Sequence, residues 1–247
     1  MGEDGSRPGV EGRLRALNLK PPPERLYGRA RGHALRARQQ RLLDRILPRM
    51  VVPAALASEP LANFGAPVQA LWVEVGAGAG EHAATQAASN PSAGLIACET
   101  YVNGLCSLLS RLVPEDSEAA PELPPNLRIW PADARALLRL LPSASVGRLF
   151  LLFPDPWPKA RHAKRRFIHP SLLPELARVL AMGAEWRVAT DDPVHQVWIE
   201  DVMGAQSLFD GVTPPARLRP SDWPPTRYEA KAIAAGRQPL YWRFTRR

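Results

Sequence analysis

Five short apolar runs constrain the fold more than anything else in the chain: ALWVEV (70–75), GLIAC (94–98), NLRIW (126–130), RLFLLF (148–153) and EWRVAT (185–190). They are continuous and do not alternate with polar residues. A strand with one wet face alternates, whereas a strand covered on both faces has no position that must be polar. Segments of helical spacing lie between them, at about 80–89, 101–113, 134–141 and 170–181. Strand and helix repeated in this way predict an α/β fold, a doubly wound and mainly parallel sheet with helices on both faces. TRYEAKAIAAG (226–236) reads as a short helix stopped by Gly236, and PLYWRFT (239–245) as a last, antiparallel strand. PEDSEAAPELPP (114–125), acidic and proline-rich, reads as a surface loop before the third strand.

The chain of 247 residues has enough apolar content for one sizeable core. Two units are expected: an arm over 1–33 and a globular domain over 34–247. The arm is rich in Arg, Pro and Gly without a sustained apolar period, so it cannot bury enough surface to offset its ordering entropy and is expected to be disordered when free. From His33 to Pro48, Leu35, Leu42, Leu43, Ile46 and Leu47 fall near helical spacing among basic residues, an amphipathic lead-in helix that Pro48 ends. The arginines from Arg25 to Arg41, with Tyr27 among them, form either a solubilising tail or an arm that orders on RNA. Charge points the same way: 32 Lys and Arg against 24 Asp and Glu give +8, which suits a polyanionic partner or an anionic membrane surface. No apolar run approaches the roughly 18 residues of a spanning helix and no signal peptide opens the chain, so a cytoplasmic protein is expected. Cys98 and Cys106 have no zinc spacing and are expected as core thiols; His33, His82, His169 and His195 are expected at the surface or at helix caps, with no metal site.

The first run ends in EVGAGAGEH. Its glycines Gly76, Gly78 and Gly80 sit at a strand-to-helix turn, where absent side chains let a ligand approach the backbone. A dinucleotide fingerprint needs a small residue at 81, and Glu81 stands there. Glu74, on the last turn of that strand, disfavours a phosphate and favours a cationic ligand such as the methionyl group of S-adenosylmethionine. Glu99 follows the second strand at the distance of a carboxylate that accepts from ribose hydroxyls, and Asp133 follows the third, in reach of an adenine amino group. Alone, each acid could be a helix N-cap. Together they mark the carboxyl ends of consecutive strands, where ligands of open α/β sheets bind.

The fourth run leads into FPDPWPKARHAKRR (153–166). Asp155 lies between Pro154 and Pro156, which restrict the backbone and hold the carboxylate in place. Lys159, Arg161, Lys164, Arg165 and Arg166, with His162, can neutralise several phosphates, and Trp157 offers a face to a base. A merely solvated basic loop leaves the Pro-Asp-Pro-Trp unexplained.

Taken together, YGRARG near the start, EVGAGAGEH, ACE, PADARALL, LFPDPWPKARHAKRRF, VATDD (188–192), TRYEAKAIAAG and YWRF resemble the bacterial single-chain tRNA (guanine-N7-)-methyltransferases, from about Tyr27 to Phe244. The resemblance implies a Rossmann-like class I methyltransferase fold. It also implies S-adenosylmethionine as methyl donor with S-adenosylhomocysteine as product, a guanine of tRNA, in the variable loop, as target, and a monomer or homodimer with no obligate protein partner. On the matching positions it implies that Glu74, Gly76, Gly78, Glu99, Asp133 and Asp155 hold the cofactor, with Asp155 central to catalysis. It implies tRNA binding by Lys159, Arg161, Lys164, Arg165, Arg166 and Asp191, and by Thr226, Arg227, Tyr228 and Glu229 where the family has T-K-F-E. TDDP (190–193) departs from the family, which has an aromatic residue after the Asp. Guanine N7 carries a lone pair and no proton, so its methylation needs alignment and electrostatic support and no strong base. Three other readings stay open. An exocyclic amino methyltransferase is opposed by the single proline after Asp155, a non-catalytic RNA-binding protein by the intact acids and glycines, and a dehydrogenase by Glu81 and the basic run.

Overall fold

The computed structural model describes residues 32–211 and 214–247. The expectation of a disordered arm therefore falls outside the described residues, apart from Gly32 and His33.

Seven strands form one sheet: β1 (Ala70–Val75), β2 (Ala93–Cys98), β3 (Leu127–Trp130), β4 (Val146–Leu152), β5 (Leu180–Thr190), β6 (Phe209–Gly211) and β7 (Leu240–Arg246), in the order β3-β2-β1-β4-β5-β7-β6. The first five are parallel, and β7 runs antiparallel to both β5 and β6. The helices are α1 (Ala37–Arg45), α2 (Leu47–Met50), α3 (Glu81–Ser89), α4 (Val102–Leu112), α5 (Ala134–Leu140), α6 (Leu173–Val179), α7 (Pro193–Gly204) and α8 (Arg227–Ala234).

The continuous apolar runs are explained by two covered faces. On β1, β2 and β4 the residues Leu71, Val73, Ile96, Cys98, Leu149 and Leu151 pack with α5, α6 and α7 through Leu137, Leu138, Leu176, Trp198 and Ile199. Their neighbours Leu95, Ala97 and Phe150 pack on the other face with Leu42, Met50, Ala83, Leu105 and Leu108 of α1 to α4. Period-2 alternation thus sends side chains to two cores, and burial of each large one contributes about 1.5–3 kcal/mol.

The topology gathers a site at one edge of the sheet. Val75 pairs with both Cys98 and Leu151, so β1, β2 and β4 end level with one another. Strand order reverses direction at β1, the switch point where open sheets leave a crevice. Over β4, β5 and β7, the face that carries α1, α3 and α4 is covered instead by the segment ahead of α8. Arg187, buried on β5, reaches Asp222 of that segment at 2.7 Å and lies 5.2 Å from the Trp223 ring. Arg243 meets Asp222 at 2.8 Å, and Glu185 joins Arg148, Arg187 and Arg243 below it.

Several elements differ from the sequence expectation. α7 was not foreseen, although its start carries a recognisable signal: Asp192 caps it, accepting from His195 N–H at 2.9 Å, and Pro193 takes the first turn. The TDDP departure is thus a helix start. Pro48 does not end the lead-in helix but sits in the first turn of α2, where its missing N–H costs nothing. β5 begins five residues early, through an irregular stretch where Gly183 has φ +75°. β6, three residues long, is too short to show a period. Cys98 and Cys106 are buried free thiols, and burial raises the Cys98 pKa. His82, His169 and His195, expected at the surface or caps, are buried.

Candidate active site

A cavity of about 590 Å³ opens at the carboxyl ends of β1 to β4. Val75, Gly76 and Gly78 form one wall, Glu99 to Tyr101 with Asn103, Gly104 and Ser107 a second, Ala132 to Arg135 a third. Phe153, Pro154, Asp155, Trp157, Arg165 and Phe167, faced by Arg227 and Tyr228, complete it.

Glu99 is the fixed point of the cofactor side. Its Oε2 accepts from Gly78 N–H at 2.6 Å, and its Oε1 from Thr100 and Tyr101 N–H, each at 2.7 Å. The Thr100 and Tyr101 donors precede α4 and lack helical partners, so the carboxylate satisfies them and ties the Gly78 turn to them, with lone pairs left to accept further hydrogen bonds. The same bond consumes the Gly78 N–H that a pyrophosphate at this loop would need. The dehydrogenase reading loses its anchor there. Gly104 lets α4 approach: a Cβ on it would lie 3.1 Å from Gly78 O and 3.2 Å from Glu99 Cγ.

Asp133 caps α5, accepting from Arg135 N–H at 2.9 Å, and the Arg135 guanidinium folds back onto it at 2.5 Å. Both oxygens of this carboxylate are therefore engaged by Arg135 within the chain, Oδ1 by its N–H and both by its guanidinium. Glu74 is placed differently from expectation. It is buried and absent from the cavity lining, with Oε2 2.9 Å from His82 Nδ1 on α3. Its position fastens α3 to β1, one step behind the cavity wall.

Asp155 stands exposed on the opposite side, in a loop held under constraint. Phe153 (φ 52°) and Trp157 (φ 45°) both occupy the left-handed region, which costs a bulky L-residue roughly 1–2 kcal/mol each. Arg166 offsets that cost. Buried under the loop, its Nε donates to Pro156 O at 3.0 Å and its Nη2 to Trp157 O at 2.9 Å, with the guanidinium 4.7 Å from the Trp198 ring of α7. Arg166 was expected to touch RNA; the structure turns it inward as a brace, because the chain after the basic turn folds back under Pro156 and Trp157. Lys159, Arg161 and Lys164 are exposed on or beside a short 3-10 turn, Ala160–Arg165, and none lines the cavity. Arg165 does, stacked 4.8 Å from the Trp157 ring, so one face of Trp157 carries a cation.

The Thr226–Glu229 segment divides in two. Thr226 and Glu229 form a capping box at the start of α8, and the buried Glu229 also accepts from Tyr241 Oη at 2.7 Å and Arg219 Nε at 3.0 Å. Burial, and then this carboxylate, push the Tyr241 pKa up. Neither Thr226 nor Glu229 lines the cavity; Arg227 and Tyr228 do. Asp191 lies outside it, paired with Arg237 at 2.5 Å. Sequence reading missed the α4 wall of Tyr101, Asn103 and Ser107, for which only Gly104 in a helical pattern gave a signal. It also missed Phe153 and Phe167. Among the described residues no group of three or more His, Cys, Asp or Glu could hold a metal ion, and no helix is long and apolar enough to cross a membrane.

Comparison with known proteins agrees with this geometry. A family model described as "Putative methyltransferase" matches residues 68–241. A protein of Granulibacter bethesdensis named "tRNA (guanine-N(7)-)-methyltransferase" is 57% identical over 235 residues, covering 94% of this chain and 99% of that one. A protein of the same name from Rhodospirillum rubrum is 46% identical, covering 90% and 88%. Among solved structures, the 16S rRNA methyltransferase KamB shares the fold, with a TM-score of 0.50 at 19% identity over 76% of this chain and 91% of that one. The motifs around the cavity and the length of these matches lead to one conclusion: the chain belongs to the tRNA (guanine-N(7)-)-methyltransferase family.

Proposed function

We infer that this protein transfers the methyl group of S-adenosylmethionine to N7 of a guanine in tRNA, releasing S-adenosylhomocysteine. The observation that carries the reading is one cavity with Gly76, Gly78, Glu99 and Asp133 on one side and the braced Asp155 with Trp157 and Arg165 on the other. The donor set fits the cofactor: Glu99, held by three N–H groups, accepts from the ribose hydroxyls, Asp133 from the adenine amino group, and the glycine loop leaves room for the methionyl chain. S-adenosylmethionine supplies an electrophilic methyl on a sulfonium.

The guanine enters between Asp155 and Tyr228. Its N7 lone pair forms the new N–C bond as the S–C bond breaks and its electrons return to sulfur, so no proton moves. The purine becomes cationic, and the Asp155 carboxylate stabilises that developing charge; one pre-organised group of this kind is worth about 3 kcal/mol, or 10²–10³ in rate. Lys159, Arg161 and Lys164 hold the phosphates outside, and Arg227 with Tyr228 closes the far side. Glu74, Arg166, Thr226, Glu229 and Asp191 support these groups from behind. The target is the variable-loop guanine, and the enzyme works in the cytoplasm as a monomer or homodimer without an obligate partner. The test is Asp155→Asn in single-turnover transfer to unmodified tRNA: cofactor affinity stays within twofold and the rate falls at least 100-fold. Near-normal turnover rejects the role.

A further inference from the structure

The basic run at 159–165 supplies cations beside Asp155 and Trp157. Elsewhere on the surface three segments distant in sequence are joined at Gln238. Its Nε2 donates to Arg217 O at 2.9 Å, and its own carbonyl accepts from Gln196 Nε2 of α7 at 2.9 Å. Beside it Arg237 binds Asp191 and returns its N–H to Ala232 O of α8 at 2.9 Å. The 216–241 bridge, Ala216 with Tyr241, ties the same loop to β7.

The surface so formed is unusual in its exposed side chains. Leu218 is 84% exposed and Ile233 60%, and Val194 and Val197 are exposed on α7. The same segments carry Arg217, Lys231 and Arg237. Among the described residues no ion pair joins Arg217 or Lys231 to a carboxylate, while Glu229 and Asp191 pair with Arg219 and Arg237; Glu200 and Asp201 share the outer face of α7 with Val194 and Val197 and bound the cationic surface there. The surface is also continuous with the cavity: Lys231 Nζ lies 5.9 Å from the Tyr228 ring, whose other neighbour is the Arg227 guanidinium at 5.3 Å. Cations leading outward from a cavity that accepts a base, with exposed apolar side chains on the same segments, suit a ribose-phosphate chain whose sugars and bases lie against Leu218 and Ile233. A second copy of this chain is the worse occupant, because each carries a net charge of +8.

Resting on the tRNA reading above, we propose that the surface of Arg217, Leu218, Lys231, Ile233 and Arg237 is a second tRNA-binding face, reached from the cavity past Tyr228 and Lys231 and distinct in sequence from the 159–165 run. The test uses the full chain with unmodified tRNA. Arg217→Glu with Lys231→Glu is expected to weaken tRNA binding at least tenfold and to flatten the dependence of log K on log salt by about 2, since roughly 0.9 is lost per phosphate contact. Cofactor affinity and kcat at saturating tRNA stay within twofold. Leu218→Ser with Ile233→Ser is expected to raise the tRNA KM without changing the salt slope. Unchanged tRNA affinity in the charge-reversed protein overturns the proposal. So does a dimer in sedimentation that the Leu218→Ser, Ile233→Ser protein converts to monomer, which would assign the face to self-association.

Discussion

Replacing Arg166 separates a brace from an RNA contact. Its guanidinium makes two charge-assisted hydrogen bonds to the Pro156 and Trp157 carbonyls, each worth about 1.5–3 kcal/mol, and these oppose roughly 2–4 kcal/mol of strain at Phe153 and Trp157. With the fork removed, the loop relaxes and the orientation of Asp155 is populated less. A net loss of about 2–3 kcal/mol corresponds to a roughly 30- to 150-fold fall in the aligned population, since 1.4 kcal/mol is tenfold. Arg166→Met is therefore expected to lower kcat by about that factor at saturating tRNA, with cofactor affinity by calorimetry within threefold and the salt dependence of tRNA binding unchanged. Arg166→Lys keeps the charge but loses the planar fork, and falls between the two proteins. If Arg166→Met instead keeps kcat and raises the tRNA KM with a flatter salt slope, Arg166 acts on RNA phosphate and the brace is refuted.

Two further perturbations test the scaffold. Gly80 has φ +72°, and a Cβ there would lie 2.5 Å from Leu108 Cγ, so Gly80→Ala should destabilise by about 3 kcal/mol and lower Tm by roughly 6–12 °C; Gly76→Ala, with nothing within 4 Å, should cost only the backbone term of about 1–2 kcal/mol, and equal losses would refute the packing argument. His195 is fully buried with neither ring nitrogen bonded, and burial, then Arg166, lowers its pKa from 6.5 to about 4. The folded protein therefore keeps it neutral, and its contribution, present above pH 6.5, is lost as pH falls toward 4. Between pH 7.5 and 5 that amounts to about 2 kcal/mol, which His195→Leu should remove from the pH dependence of urea unfolding; parallel pH dependences for the two proteins would contradict it.

The architecture was legible because its signals are local. Continuous apolar runs announce two covered faces, and the order of strands and helices leaves few sheets to choose from. That the glycine loop, Glu99, Asp133 and Asp155 meet around one cavity was legible because the fold brings carboxyl ends of neighbouring strands to one crevice. What escaped was set by tertiary direction. Nothing in the sequence distinguishes Arg165, which lines the cavity, from Arg166, which turns under it, since the difference is one residue of register in a turn. Glu74 and Glu229 carry the charge expected of site residues but point at His82 and Tyr241, partners 8 and 12 positions away. The Asp192 and Pro193 helix start was readable on capping rules alone; only a family pattern with an aromatic there obscured it.

The most direct test of the central claim is the chemical identity of the product. Labelled S-adenosylmethionine and unmodified tRNA transcripts are incubated with the protein, and the digested nucleosides are resolved by mass spectrometry. The account predicts 7-methylguanosine as the labelled nucleoside, from a single site. Label on an exocyclic amine or a ring nitrogen other than N7 would contradict it.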